Sequence, residues 1–271
     1  MSGTGLPALR PDFEPTRATL HAYAKAVGAV PRAHGTPHPN WWHISLKVRP
    51  EGLVTDLIPL PGGGAMAIAM DVKHHEIVVR SSGGEVRTTD LRDGRTATEM
   101  GAALASITAE FGLPDVYERD RFENDDARTY DPAAAAAYFD AFVDVTAIFE
   151  RHRVTLGDRV GPIQVWPHNF DLAFEWFGTR TEEHDGVALP SQLNLGFYPA
   201  GDEPYFYSNP WPFDETLIDT PLPDGATWHT EGWQGTLLPY AAVQSDPDGP
   251  SRLATFARAV FDVASPSLGA T

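Results

Sequence analysis

The 271-residue chain contains no cysteine. That excludes disulfides, thiolate nucleophiles, cysteine-ligated zinc and iron–sulfur clusters, and it fits a reducing compartment. Basic residues are scarce as well: 20 Lys and Arg stand against 37 Asp and Glu, giving a formal charge of −17. Phosphate backbones and anionic lipid surfaces repel such a chain, so neither nucleic acid nor a membrane is expected as a partner. The opening residues, MSGTGLPALRPDFEP, lack the basic segment and the roughly 7–15-residue apolar run of a signal peptide. Long apolar runs are missing too. AAAAAYFDAFVDV is broken by Asp140 and Asp144, so no stretch is expected to supply the roughly 20 apolar residues that span a bilayer. A cytoplasmic location is the expectation. Gly62-Gly63-Gly64 lacks the G-x-x-x-x-G-K pattern of a phosphate-cradling loop, and no G-x-S-x-G nucleophile elbow occurs.

What is present alternates between two periodicities. Residues 1–15, with three prolines, read as an arm. TRATLHAYAKAVGA, 16–29, reads as a helix with Thr16 as its N-cap and Leu20, Tyr23, Ala24 and Val27 on one face. PRAHGTPHPN reads as a loop. In WWHISLKV the period falls to two: Trp42, Ile44, Leu46 and Val48 point one way, and Trp41, His43, Ser45 and Lys47 the other. Further strands are expected at GLVTDLIPL, GAMAIAMDV, EIVVRSS and EVRTTDL, then a helix over 96–111 that stops at Gly112. Residues 113–130 are charged and irregular and read as a linker. Asp131-Pro132 opens a helix to Arg153. The strands PIQVWPHNFDLAFEWFG, QLNLGFY, EPYFYSN and WQGTLLPY follow, and a last helix covers 251–264. The predicted fold is α+β, one compact domain over 16–265. It comprises two similar fused halves, 16–112 and 131–265, each helix–antiparallel strands–helix, with a sheet face carrying an aromatic-lined cleft.

The chain resembles an uncharacterised bacterial family, a domain of unknown function. The blocks that carry the resemblance are Thr19-Leu20-His21, Asn40-Trp41-Trp42-His43 and Phe170-Asp171-Leu172-Ala173, followed by Pro204-Tyr205-Phe206-Tyr207 and Leu238-Pro239-Tyr240. They occur in order from about residue 16 to 260. Where members of that family carry Trp-Gly before Phe-Asp, this chain has Pro167-His168-Asn169. The resemblance implies a bacterial origin and one shared fold, and no activity.

His43 leads the candidates for chemistry. On the strand pattern it shares a face with Trp41 and Ser45, where an imidazole beside an indole could act as acid, base or ligand near neutral pH. Alternatively it hydrogen-bonds the loop PRAHGTPHPN in place. His21 could reach across from the first helix as a second imidazole. Asp171 and Glu175 alternate on one face of NFDLAFEWF, about 13 Å apart at the rise of a strand, too far to share a proton. Asp171, within the family block, would orient or pair with His43. Matching the apolar stripes of the two halves sets His43 against Asn169 and Ser45 against Asp171, with His168 among aromatics. Tyr205, Tyr207 and Asn209 alternate onto a second aromatic face, in a chain where Trp41, Trp166, Trp176 and Trp211 also fall in strand patterns. His74-His75 sits at a hairpin, where adjacent side chains diverge.

Three functions follow from this reading. The first is a small-molecule enzyme using general acid–base chemistry, with His43, Asp171, His21 and Tyr207 as catalytic groups and Trp41, Ser45, Tyr205, Asn209 and Glu175 lining the ligand site. A divalent metal on His21, His43 and Asp171 is its metal-assisted version, although no H-x-x-x-H, H-x-H or H-E-x-x-H spacing links those histidines. The second is a non-catalytic binding protein with an aromatic pocket for a small aromatic or cationic ligand. The third is an oligomeric interaction module. Monomer and homodimer are both open.

Overall fold

The computed structural model describes residues 5–201 and 203–269; residues 1–4 of the expected arm lie outside it. The described residues form an α+β fold, with four α-helices and two antiparallel sheets. It divides into two compact units. The N-terminal unit comprises Leu9–Val143 and Gln164–Asp171. The C-terminal unit comprises residues up to Ala8, Asp144–Ile163 and the chain from Leu172 on.

The N-terminal unit begins with α1, Glu14–His34. Six short strands follow: β1 Lys47–Arg49, β2 Gly52–Val54, β3 Ile58–Pro59, β4 Ala65–Asp71, β5 Glu76–Ser81 and β6 Val86–Asp90. They form a meander in the order β1-β2-β4-β5-β6, with β3 beside β4. In β4, Met66, Ile68 and Met70 are buried at every second position, as are Ile77 and Val79 in β5, which is the period of a sheet with one covered face. Helix α2, Ala97–Glu110, starts from a capping box: Thr96 accepts from the Glu99 amide and Glu99 accepts from the Thr96 amide. The predicted stripe of α1 is realised, with Leu20, Tyr23, Ala24 and Val27 all buried. Helix α3, Pro132–Arg153, starts where Asp131 accepts from the Ala133 and Ala134 amides at 2.7 and 3.0 Å. Its 22 residues are long and apolar enough to cross a membrane by composition, which corrects the expectation that no such stretch exists; half of that window is buried within the structure, as in a core helix. The division between units falls within α3, after Val143. Strand β7, Gln164–Trp166, joins the N-terminal unit through a bridge between Val165 and Leu46.

The C-terminal unit holds β8 Asp171–His184 (from Leu172), β9 Val187–Tyr198, β10 Tyr205–Trp211, β11 Thr227–His229 and β12 Gly235–Pro239, then α4 Gly249–Ala264. The strands lie in the order β11-β12-β10-β9-β8. Its core is aromatic: Phe206 packs on Phe149, Phe197 and Tyr240 at ring separations of 6.3, 5.1 and 5.6 Å.

Three local expectations change. PRAHG is not all loop: α1 continues through Pro31 and stops at Gly35, whose amide donates to the Pro31 carbonyl at 2.8 Å. WWHISLKV is a strand only from Lys47. Trp41 is left-handed at φ 60°, Trp42–Ile44 form a 3-10 turn, and the Trp42 carbonyl accepts from Ser45 Oγ and Lys47 Nζ instead of a neighbouring strand. The long strand around Phe170 is broken at 167–170, where Phe170 sits at φ 59° and its amide donates to the Trp166 carbonyl at 2.7 Å. His43 and Asn169 are therefore not in strands, and the strand correspondence between the halves that matched one to the other does not hold. The order helix–strands–helix does recur along the chain, while the expected linker at 113–130 lies inside the N-terminal unit.

Candidate functional site

The extension of α1 by one turn has a consequence for its surface. Lys25, Gly28, Ala29 and Arg32 now share one helical face at the spacing i, i+3, i+4, i+7. That face forms one wall of a cavity of about 160 Å³. Ile44, from the 3-10 turn, and Pro167 and His168, from the turn after β7, form the opposite wall. Arg121, from the 3-10 turn Arg119–Arg121, completes it. All of these belong to the N-terminal unit. Gly28 is required by the fit: a Cβ there would meet Pro167 Cγ at 2.7 Å and Cβ at 2.9 Å.

Three cations converge on this cavity in a chain of charge −17. Arg121 is paired with Glu118. Among the described residues no carboxylate forms an ion pair with Lys25 or Arg32. The Arg32 guanidinium lies over the Trp41 ring at 5.0 Å. Burial, and then the positive charge of Arg121, lower the pKa of Arg32 from its usual value.

The turn bearing His168 is held by His21. His21 Nε2 donates to the His168 carbonyl at 3.0 Å, its Nδ1 accepts from Arg17 at 3.3 Å, and its ring stacks on Phe170 at 5.9 Å. Arg17 is tied in turn to Glu14 at 2.6 Å. Burial and the nearby Lys25 charge push the His21 pKa down to about 4. His21 is thus a neutral imidazole with both nitrogens engaged. His168 is exposed on its turn, edge-on to Trp166 at 5.7 Å. The expectation that it is buried among aromatics is corrected: the break at 167–170 turns it to the cavity. Partial burial of its ring lowers its pKa, and Asp171 opposes that shift.

His43 is 8% exposed, and its Nδ1 accepts from the His38 amide at 3.1 Å. This is the loop-holding arrangement. Burial, with Arg32 next, lowers its pKa. Trp41, 53% exposed, stacks beside it at 5.7 Å. Ser45 is fully buried, bonded to Gln164 at 2.5 Å and accepting from Lys47 Nζ at 2.9 Å, while Lys47 pairs with Asp56 at 2.8 Å. This Ser–Lys pair ties β1 to β7. Asp171 is 5% exposed at the start of β8. Among the described residues no three His, Asp or Glu side chains could hold a metal ion. The metal set His21, His43 and Asp171 is corrected accordingly: both His21 nitrogens are committed, to Arg17 and a backbone carbonyl, and His43 Nδ1 to the His38 amide.

The other predicted residues belong to the C-terminal unit. Tyr205, Tyr207 and Asn209 do share one face of β10. Tyr207 lies against Gly196, whose missing Cβ would fall 2.3 Å from the phenol ring, and meets Trp233 at 6.2 Å. Asn194 stands opposite both Asn209 and Glu175. Sequence reasoning missed Lys25, Arg32 and Arg121. The i, i+4, i+7 spacing of Lys25, Ala29 and Arg32 was the available signal, hidden by reading Pro31 as the start of a loop.

A family model described as a family of unknown function (DUF5996) matches residues 6–269. Neither a curated protein nor a solved structure matches the chain.

Proposed function

The chain belongs to the DUF5996 family of unknown function, and from that premise we propose that it is a small-molecule-binding protein whose N-terminal unit holds an anion in the pocket of Lys25, Arg32 and Arg121. One observation carries this reading: three cations line one half-enclosed cavity, and two of them have no carboxylate partner among the described residues. Like charges brought together out of bulk water repel and lose hydration. A bound anion reverses both penalties with charge-assisted hydrogen bonds. The cationic ligand expected from the aromatic content would be repelled at this site.

The test is isothermal titration of small carboxylates and inorganic phosphate into the full chain and into Arg32→Ala. The expected result is saturable binding that Arg32→Ala weakens about tenfold or more, the loss of one charged hydrogen-bonding partner. Tetramethylammonium should not bind in this pocket. Absence of any anion binding contradicts the proposal.

General-base chemistry on the bound anion is a second reading, favoured by His168 alone. It is exposed at the cavity, and partial burial of its ring favours the neutral imidazole that a general base needs. His168→Ala that leaves affinity within about threefold and abolishes turnover of a bound acid would support it; a binding protein shows no turnover in either form.

A further inference from the structure

We infer that the pocket selects a short dianion with an acidic group at each end of an apolar spacer, a dicarboxylate of about four or five carbons, over a monoanion of the same length. The inference rests on the anion-binding reading and deepens it. Lys25 and Arg32 are seven residues apart on α1, so they share a face yet stand about 10 Å apart along the helix axis. Arg121 comes close to Arg32, where the two positive charges feel each other. The charge of Lys25 acts on His21, and those of Arg32 and then Lys25 act on His168. The helical rise between Lys25 and Arg32 therefore separates two ends, a guanidinium pair and an ammonium. Between them the wall is apolar and small: Gly28 and Ala29 on one side, Ile44 and Pro167 on the other. A compact trianionic or dianionic centre would reach one end only. A cavity near 160 Å³ is close to the roughly 150 Å³ that encloses a benzene ring, so a partly open one suits about eight non-hydrogen atoms.

The arrangement also separates the roles of the cations. Guanidiniums form bidentate pairs with a carboxylate, and an ammonium acts as a point charge. The first carboxylate should bind at Arg32 and Arg121, and the second should gain from Lys25.

The test compares succinate and glutarate with butyrate, valerate and inorganic phosphate by isothermal titration, using the full chain, Lys25→Met and Arg32→Met. The dicarboxylates should bind about tenfold or more tightly than the monocarboxylates of equal length. Lys25→Met should bring succinate to the level of butyrate, whereas Arg32→Met should weaken both. Equal affinity of butyrate and succinate for the unmodified chain overturns the dianion inference and leaves the anion reading standing. Phosphate binding more tightly than both dicarboxylates overturns the two-ended geometry. If no anion binds, the reading on which the inference rests fails with it. The comparison on the unmodified chain needs no variant to fold.

Discussion

The imidazole of His21 carries its proton on Nε2, because that nitrogen donates to the His168 carbonyl while Nδ1 faces Arg17. Protonation would place a positive charge between Arg17 and Lys25 in a partly desolvated site, so the folded pKa falls to about 4 from 6.5. Between those values the unfolded chain binds the proton and the folded chain does not. The stability contributed by neutral His21 is therefore complete above about pH 6.5 and is lost as the pH falls toward 4. His21→Gln retains an N–H donor and cannot titrate. Urea unfolding at several pH values should show the wild-type chain losing up to about 3 kcal/mol relative to the variant across that window; parallel curves would disprove the assignment. The residue was legible in the sequence as a histidine one step off the apolar stripe of its helix. Its role was not, because the partner carbonyl lies 147 positions away in sequence. His43 was harder to read for a related reason. Its strand pattern is sound by alternation, but the Trp42 carbonyl is captured by Ser45 and Lys47, and a local side-chain bond overrides the periodicity.

The helices and the sheet strands of this chain announce themselves, since burial repeats with the period of each element and the caps are conventional: Thr96 with Glu99, Asp131 with Pro132. The joints between elements do not. Pro31 reads as a stop yet lies inside α1 near its end, where it gives up one i→i−4 hydrogen bond, and this one turn decides whether Arg32 joins the face of Lys25. Gly28 tests the packing of that face. Glycine to alanine within a helix ordinarily stabilises by about 1 kcal/mol. Here the added Cβ would meet Pro167 at 2.7 Å, and overpacking costs about 1–3 kcal/mol. Gly28→Ala should therefore come out destabilising by chemical denaturation, with weaker anion binding as the Pro167–His168 turn is displaced; a stabilised variant would show that the contact yields freely. In the C-terminal unit the corresponding test is Phe206→Ala. Truncating a fully buried ring that touches three others should cost about 3–5 kcal/mol, and a loss below 1 kcal/mol would mean that the aromatic cluster repacks without a cavity.

At the scale of the whole molecule the charge of −17 and the cationic pocket oppose each other. The net negative charge repels anions at long range, and at about 0.1 M salt that repulsion is screened beyond roughly 10 Å. Only close contacts within the cavity then decide affinity. A ligand that binds the folded state alone stabilises it by about 2.7 kcal/mol at a hundredfold excess over Kd. For a chain of this size that raises the melting temperature by about 5–10 °C, and the rise should be absent in Arg32→Ala. The measurement that reaches the central claim most directly is a crystal structure of the chain grown with a short dicarboxylate. The account predicts carboxylate oxygens within hydrogen-bond distance of the Arg32 and Arg121 guanidiniums, with the second acid toward Lys25. A ligand bound elsewhere on the chain, with solvent alone between Arg32 and His168, would contradict it.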